Sequence, residues 1–374
     1  MTDLGDRLYR TVQDYAALGL HHRTGTPEDS RTLDWFEARL RALGATTERQ
    51  PWTFDRYEAE WAVAVDYEEV PSIPLFYESV GAVESAAPFA ASADAISAGA
   101  FADWPGTVER ARAAGAPMAV VATRSRSGRL VVPNRSPTQA GSGLPTLLVP
   151  GALERRLAQA AVRARVSARI TAGRTANVIG RAGAGPDRER LLLTTPLSGW
   201  FRCAGERGTG IAVMLAVAER LAAEGVPLLL NGNSGHELVD LGAHRFVETG
   251  PAARGIFHFG ASIASCEDGD REPRLASGVV VRASIPEPAG DLERAFAPLG
   301  KTPIAIPAAD RANPASWVGE ARAWCTLGLP LVSMAGGFPL FHTPEDIPER
   351  ATTPALLDHV YGAALAAARV LARA

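Results

Sequence analysis

His236 and Glu237 stand side by side in NGNSGHELVD, and this pair carries the clearest chemistry in the chain. An unperturbed histidine titrates near neutral pH and can take or give a proton. A glutamate beside it can hold a metal or assist that transfer. The plainer reading has Glu237 complementing the positive end of a helix and His236 capping it or touching substrate. Three more loops hold groups of interest. TTPLSGWFRCAGERGTG gathers Ser198, Trp200, Arg202, Cys203 and Glu206 in a Gly-rich stretch, and GGFPLFHTPEDIPE holds His342. Ser198, Trp200, Arg202 and Cys203 form a candidate substrate-binding set, with Trp200 for a ring and Arg202 for a carboxylate. A cysteine attacks only where a neighbour lowers its pKa; otherwise it is inert. The third loop, HFGASIASCEDGD, holds Cys266, Glu267 and Asp268, which read as a solvated turn. His236-Glu237-x-x-Asp240, with His244 beyond it, also matches a loose variant of the HExxH zinc helix.

Elements must place these loops. Thr26-Pro27-Glu28-Asp29 reads as a capped helix start, and Leu33, Phe36, Leu40 and Leu43 follow at helical spacing until Gly44. From Asn177 onward strands and helices alternate. The strands are expected over 190–195, 226–230, in GIFHFGAS, in GVVVRASI and over 329–334. Helices are expected over 208–224, from near His236 to Val247, and over 354–372. This pattern predicts an α/β fold with three layers, a mostly parallel sheet flanked by helices. Sites on such sheets lie on loops beyond the strand ends. Between 55 and 175 the texture changes to short apolar stretches broken by Pro and Gly. There a helix (VERARAAGA), strands (PMAVVAT, LPTLLVP) and a helical stretch (ALERRLAQAAVRA) are expected. The chain is therefore expected to form a discontinuous domain, 1–54 with 176–374, and a small β-rich domain inserted at 55–175.

The net charge is −3 and 47% of residues are hydrophobic. That is an ordinary globular composition, with no charge excess to attract nucleic acid or an anionic membrane. Lys301 is the single lysine; the other basic residues are arginines. MTDLGDRLYR lacks the apolar core of a signal peptide, and no apolar run is expected to reach membrane-spanning length. Cys203, Cys266 and Cys325 suggest no disulfide framework. A cytoplasmic location is expected.

HHRTGTPEDSRTLDWFEARLRALGA, TANVIGR, SGHELVDLGAHRFVE and LGLPLVSM…FHTPEDIPE, in that order, resemble the zinc aminopeptidases that use two co-catalytic metals. The chain also resembles the glutaminyl cyclases that share their fold. Segment 55–175 resembles a protease-associated domain. The resemblance implies a metal site that this sequence only partly keeps. Pro196 stands where a His ligand is expected and Ser198 where its supporting Asp is expected. Glu206 replaces a bridging Asp, and His236-Glu237 replaces a Glu-Glu pair. Gly260 stands in place of an Asp ligand, and His342 keeps a His ligand. A single zinc on Glu206, Glu237 and His342 is one outcome; no metal is the other. The implied activity is hydrolase-like, on an amide, peptide or related small acyl substrate, with His236, Glu237 and His342 catalytic. The alternatives are metal-independent acid–base cyclisation or elimination, and a non-catalytic protein that binds a ligand or partner. The expected partner is a small molecule or short peptide, not nucleic acid or membrane; the oligomeric state is left open.

Overall fold

The computed structural model describes residues 3–94, 104–125, 127–267, 274–285 and 289–373. Asp268 lies outside them. The chain divides into a core unit, Met1–Trp52 with Thr175–Phe341 and Glu345–Ala374, and an inserted unit, Thr53–Arg174 with His342–Pro344.

Four parallel strands form the centre of the core sheet, in the order Leu331–Ala335, Gly255–Phe259, Leu191–Pro196 and Leu228–Asn233. Strand Val280–Ser284 pairs antiparallel with Leu331–Ala335 on one side. On the other, Leu228–Asn233 pairs antiparallel with the long strand Val162–Ala182, and the long strand Thr46–Val65 follows. These two long strands carry the chain into the inserted unit and back.

The central strands read as continuous apolar runs because both faces are covered. Alternate residues go to opposite sides. Leu191, Leu193, Leu228, Leu230, Phe257, Phe259, Val332 and Met334 join one core, with helices Asp3–Ala17, Thr209–Ala223 and Pro354–Arg373. Leu192, Leu229, Ile256 and Leu331 join the other, with Phe246, Trp317 and Trp324. The mixed sheet between two helical layers is the expected fold class. Helix Pro27–Ala42 begins as its sequence predicts, with Thr26 Oγ1 accepting from the Asp29 N–H at 3.3 Å. Helix Asp3–Ala17 was not anticipated, although Leu8, Val12 and Tyr15 lie buried at helical spacing.

Helix Pro354–Arg373 is long and apolar enough to cross a membrane by length and composition, against the expectation that no such run exists. Ten of its residues are buried, and it packs against helices Asp3–Ala17 and Thr209–Ala223. A core helix in a thick α/β layer meets the same compositional test.

The inserted unit has a four-stranded sheet in the order Ile73–Pro74, Thr146–Pro150, Ala119–Arg124, Phe89–Asp94, with helix Trp104–Ala113 before Ala119–Arg124. ALERRLAQAAVRA does not stay helical. The helix stops at Leu157, and Val162 starts a strand in which Val162, Ala164, Val166 and Ala168 are buried at alternate positions. The period-two pattern overrides the helix preference of its alanines and arginines.

Candidate active site

Polar residues gather at the C-terminal ends of the parallel strands, where the chain leaves the sheet. Asn231 lies opposite Thr194 in register, and His258 lies between Thr194 and Ser333. All four are buried. His258 Nδ1 sits 2.9 Å from Ser333 Oγ, and its Nε2 lies 3.4 Å from Glu320 Oε2. Asn233 Nδ2 donates to Glu320 Oε1 at 2.5 Å. Glu320 lies just before the short helix Ala321–Trp324, whose Trp324 Nε1 donates to its other oxygen at 3.4 Å.

His236 follows strand Leu228–Asn233, but no helix begins there. Gly235 has φ 90°, and Val239 and Asp240 both have φ 61°. The helix starts only at Leu241. This corrects the expected start near His236 and removes the HExxH-like helix; His244 is exposed on the later helix. The turn still brings Asp240 Oδ1 to 2.8 Å from His236 Nδ1. A left-handed conformation at a β-branched valine is rare and costs free energy, and such strain concentrates at functional sites. Glu320 Oε1 lies 3.9 Å from the same nitrogen, and Glu206 Oε1 lies 3.8 Å from His236 Nε2. Burial and the Arg207 charge push the His236 pKa down, but Asp240 and Glu320 outweigh them and raise it to about 9. Burial would raise the Glu320 carboxyl, yet His236 and His258 hold it well below the usual range.

Glu206 and Arg207 sit in a widened turn, Ala204–Gly208, ahead of helix Thr209–Ala223. Their side chains form an ion pair, both fully buried. Asp346 clamps this turn by accepting the N–H groups of Gly205 (2.6 Å) and Glu206 (3.0 Å). Burial, aided by the Glu206 charge, pushes the Asp346 carboxyl up to about 8 against those two bonds.

Glu237 is spent on holding loops together. Its carboxylate accepts the Thr24 N–H at 2.6 Å and the Ser198 hydroxyl at 2.7 Å. Ser198 Oγ in turn accepts the N–H groups of Gly235 (2.8 Å) and His236 (3.1 Å), which fixes the backbone at His236. Asp29 accepts from Ser234 Oγ at 2.7 Å in the same knot, and burial raises its carboxyl to about 6.

Of the candidate substrate-binding residues, Ser198, Trp200 and Cys203 are buried and Arg202 is half-buried. Cys203 lies 3.3 Å from Tyr15 Oη, and burial followed by the Glu206 charge raises its pKa well above the ordinary value. That is the wrong direction for a nucleophile. His342 is grouped with the inserted unit, where its Nδ1 lies 2.7 Å from the Val132 carbonyl oxygen. Cys266 is buried, and Glu267 accepts from Ser277 Oγ at 3.0 Å. Glu320, His258, Arg207 and Asp346 were not singled out from the sequence. Arg207, Asp346 and His258 lie within stretches singled out for other residues and Glu320 lies outside them, so only their contacts in space reveal them.

These residues do not fit the two-metal site that the sequence resemblance implies. Pro196 has no donor atom. A Cβ at Gly260 would stand 2.6 Å from His258 Cε1, 2.7 Å from Ala335 Cβ and 3.0 Å from the Met334 carbonyl oxygen, so no acid fits there. Among the described residues no candidate metal-holding group includes Glu237. In the core unit His236, Asp240 and Glu320 do present ligand atoms within 4.8 Å of one another. Two carboxylates and an imidazole suit a single zinc. Here, however, Glu320 is already bonded to Asn233 and Trp324.

No protein-family model and no curated protein sequence matches the chain. Solved structures do match. A zinc aminopeptidase from Bacillus subtilis superposes with a TM-score of 0.70 at 15% identity, covering 98% of this chain and 95% of that one. A peptidase precursor from Shewanella amazonensis gives 0.68 at 14% identity, covering 98% and 96%. A glutaminyl cyclase from Porphyromonas gingivalis gives 0.50 at 14% identity, covering 99% of each. The chain therefore has the fold that its sequence motifs resemble.

Proposed function

We propose that this chain is a hydrolase-like or cyclase-like enzyme acting on a peptide or related amide, with His236 as its proton-transfer residue. The aminopeptidase, the peptidase and the cyclase that share its fold support the substrate class. One observation carries the assignment of His236: its Nδ1 is ion-paired with Asp240 at 2.8 Å, which leaves Nε2 as the working nitrogen. A base oriented by a third group is the recurrent arrangement of acyl-transfer sites. Because Asp240 and Glu320 keep the imidazole protonated at neutral pH, His236 acts first as an acid. It donates a proton to the amide nitrogen, which leaves as an amine after water, or the peptide's own amine in a cyclisation, adds to the carbonyl carbon. Glu320 and Asp240 stabilise the charged ring, and Glu237 positions it through Ser198. Residues 53–174 act as a protease-associated-like accessory domain in this reading.

The test is turnover of a panel of short peptides and N-terminal glutaminyl peptides, followed by mass spectrometry. His236→Gln is expected to lower kcat/KM by ~10²-fold or more, and Asp240→Asn by a smaller factor. An unchanged rate in His236→Gln would remove this reading.

A second reading has the chain binding such a ligand without turning it over. The use of Glu237 to tie Thr24 to Ser198 favours it, since that carboxylate no longer serves chemistry. A ligand that raises Tm and is recovered chemically unchanged after long incubation would select this reading.

A further inference from the structure

The least expected group in the core unit is a buried arginine. Arg207 is fully buried, yet two of its nitrogens, Nε and Nη1, have no hydrogen-bond partner among the described residues. A guanidinium in such a place is costly unless negative charge surrounds it. Glu206 pairs with it directly, and Glu320 lies close enough to act on it. The space is kept open by Gly199, where a Cβ would come within 3.2 Å of Cys203 Sγ and 3.4 Å of Arg207 Nε. Glu206 is the residue that, by resemblance, corresponds to the carboxylate bridging two metals. Its charge is answered here from within the chain, while Pro196 and Gly260 offer no ligands.

We infer that Arg207 is the resident cation of this site, answering the Glu206 charge that a metal would otherwise answer, and that the site binds no zinc. The inference does not need the chain to be an enzyme, and its readout is metal binding, not turnover. It predicts that a divalent ion finds the Glu206 charge already paired until the guanidinium is removed.

The experiment compares the full chain with Arg207→Ala. Both are purified without metal-binding tags, dialysed against zinc, and analysed for metal content and Tm. The wild-type chain is expected to retain no stoichiometric zinc at the site and to show no zinc-dependent change in Tm. Arg207→Ala removes the guanidinium that pairs with Glu206. It is expected to gain zinc and a Tm rise of a few degrees. About one zinc per wild-type chain, lost on Glu206→Gln, would overturn the inference, as would an equal zinc response in both proteins. Zinc that survives Glu206→Gln lies elsewhere and counts as none here. Should Arg207→Ala fail to fold, the wild-type metal content and its Glu206→Gln control decide alone.

Discussion

His236 is a buried imidazole set between carboxylates, and its protonation ties the site to the stability of the whole fold. Its pKa is raised from 6.5 to about 9. A group whose folded pKa is raised contributes stability that is complete below the unfolded pKa and is lost as pH rises through the folded one. The His236 contribution is therefore full below about pH 6.5 and gone above about pH 9. Asp346, raised from 3.8 to about 8 by burial, pulls in the same direction, its contribution being lost as pH rises from about 4 to about 8. Tm is expected to fall from pH 6.5 to pH 9, with a His236 share on the order of 3 kcal/mol. His236→Gln should be less stable at neutral pH and show a flatter decline, which calorimetry at several pH values would measure. A Tm that rises toward pH 9 would contradict this account. At this scale the sequence exposed His236, because an adjacent His-Glu pair after a buried strand is conspicuous. It did not expose Glu320 or Arg207, since a lone acid in GEARAW or a lone base in GERGT becomes meaningful only through its neighbours in space.

Among elements, the ends of the strands decide what the site can hold. Strand Gly255–Phe259 stops one residue before Gly260, which is wedged against His258, Ala335 and the backbone at Met334. Gly260→Asp would restore an acid at a position where the resemblance expects a ligand, but its first carbon already overlaps three neighbours. We expect this substitution to cost several kcal/mol, from overpacking and from burying a charge without a partner. Chemical denaturation should show the loss, and gain of a zinc-dependent activity without loss of stability would refute it. The apolar strands and the capped helix Pro27–Ala42 were legible because their signals are local. The turn at His236–Asp240 was not: its residues read equally as a first helical turn, and the left-handed Val239 and Asp240 come from packing that no local pattern encodes.

For the molecule as a whole, the last helix shows how composition can mislead. Pro354–Arg373 passes for a membrane span on paper but closes one side of the core, where Leu356, Leu357, Val360 and Leu371 are buried. Removing residues 354–374 should leave an insoluble or unfolded chain, because several large side chains on the opposing helices would lose their cover. A soluble truncated protein with native circular dichroism would contradict this.

The sequence by itself determined the alternation of strands and helices beyond residue 190, the α/β class and the presence of a compositionally distinct stretch between 55 and 175. Each rests on periodicity and turn chemistry, which act between residues a few positions apart. The tertiary structure alone decided which charges meet. Glu206 finds Arg207, Glu320 finds His236 and His258, and Asp346 closes over the turn at 205–206. Glu320 and His236 are 84 residues apart in the chain, and Asp346 and Gly205 are 141 apart. Electrostatic energy depends on distance in space and on burial, and neither quantity is written in the local pattern of a sequence.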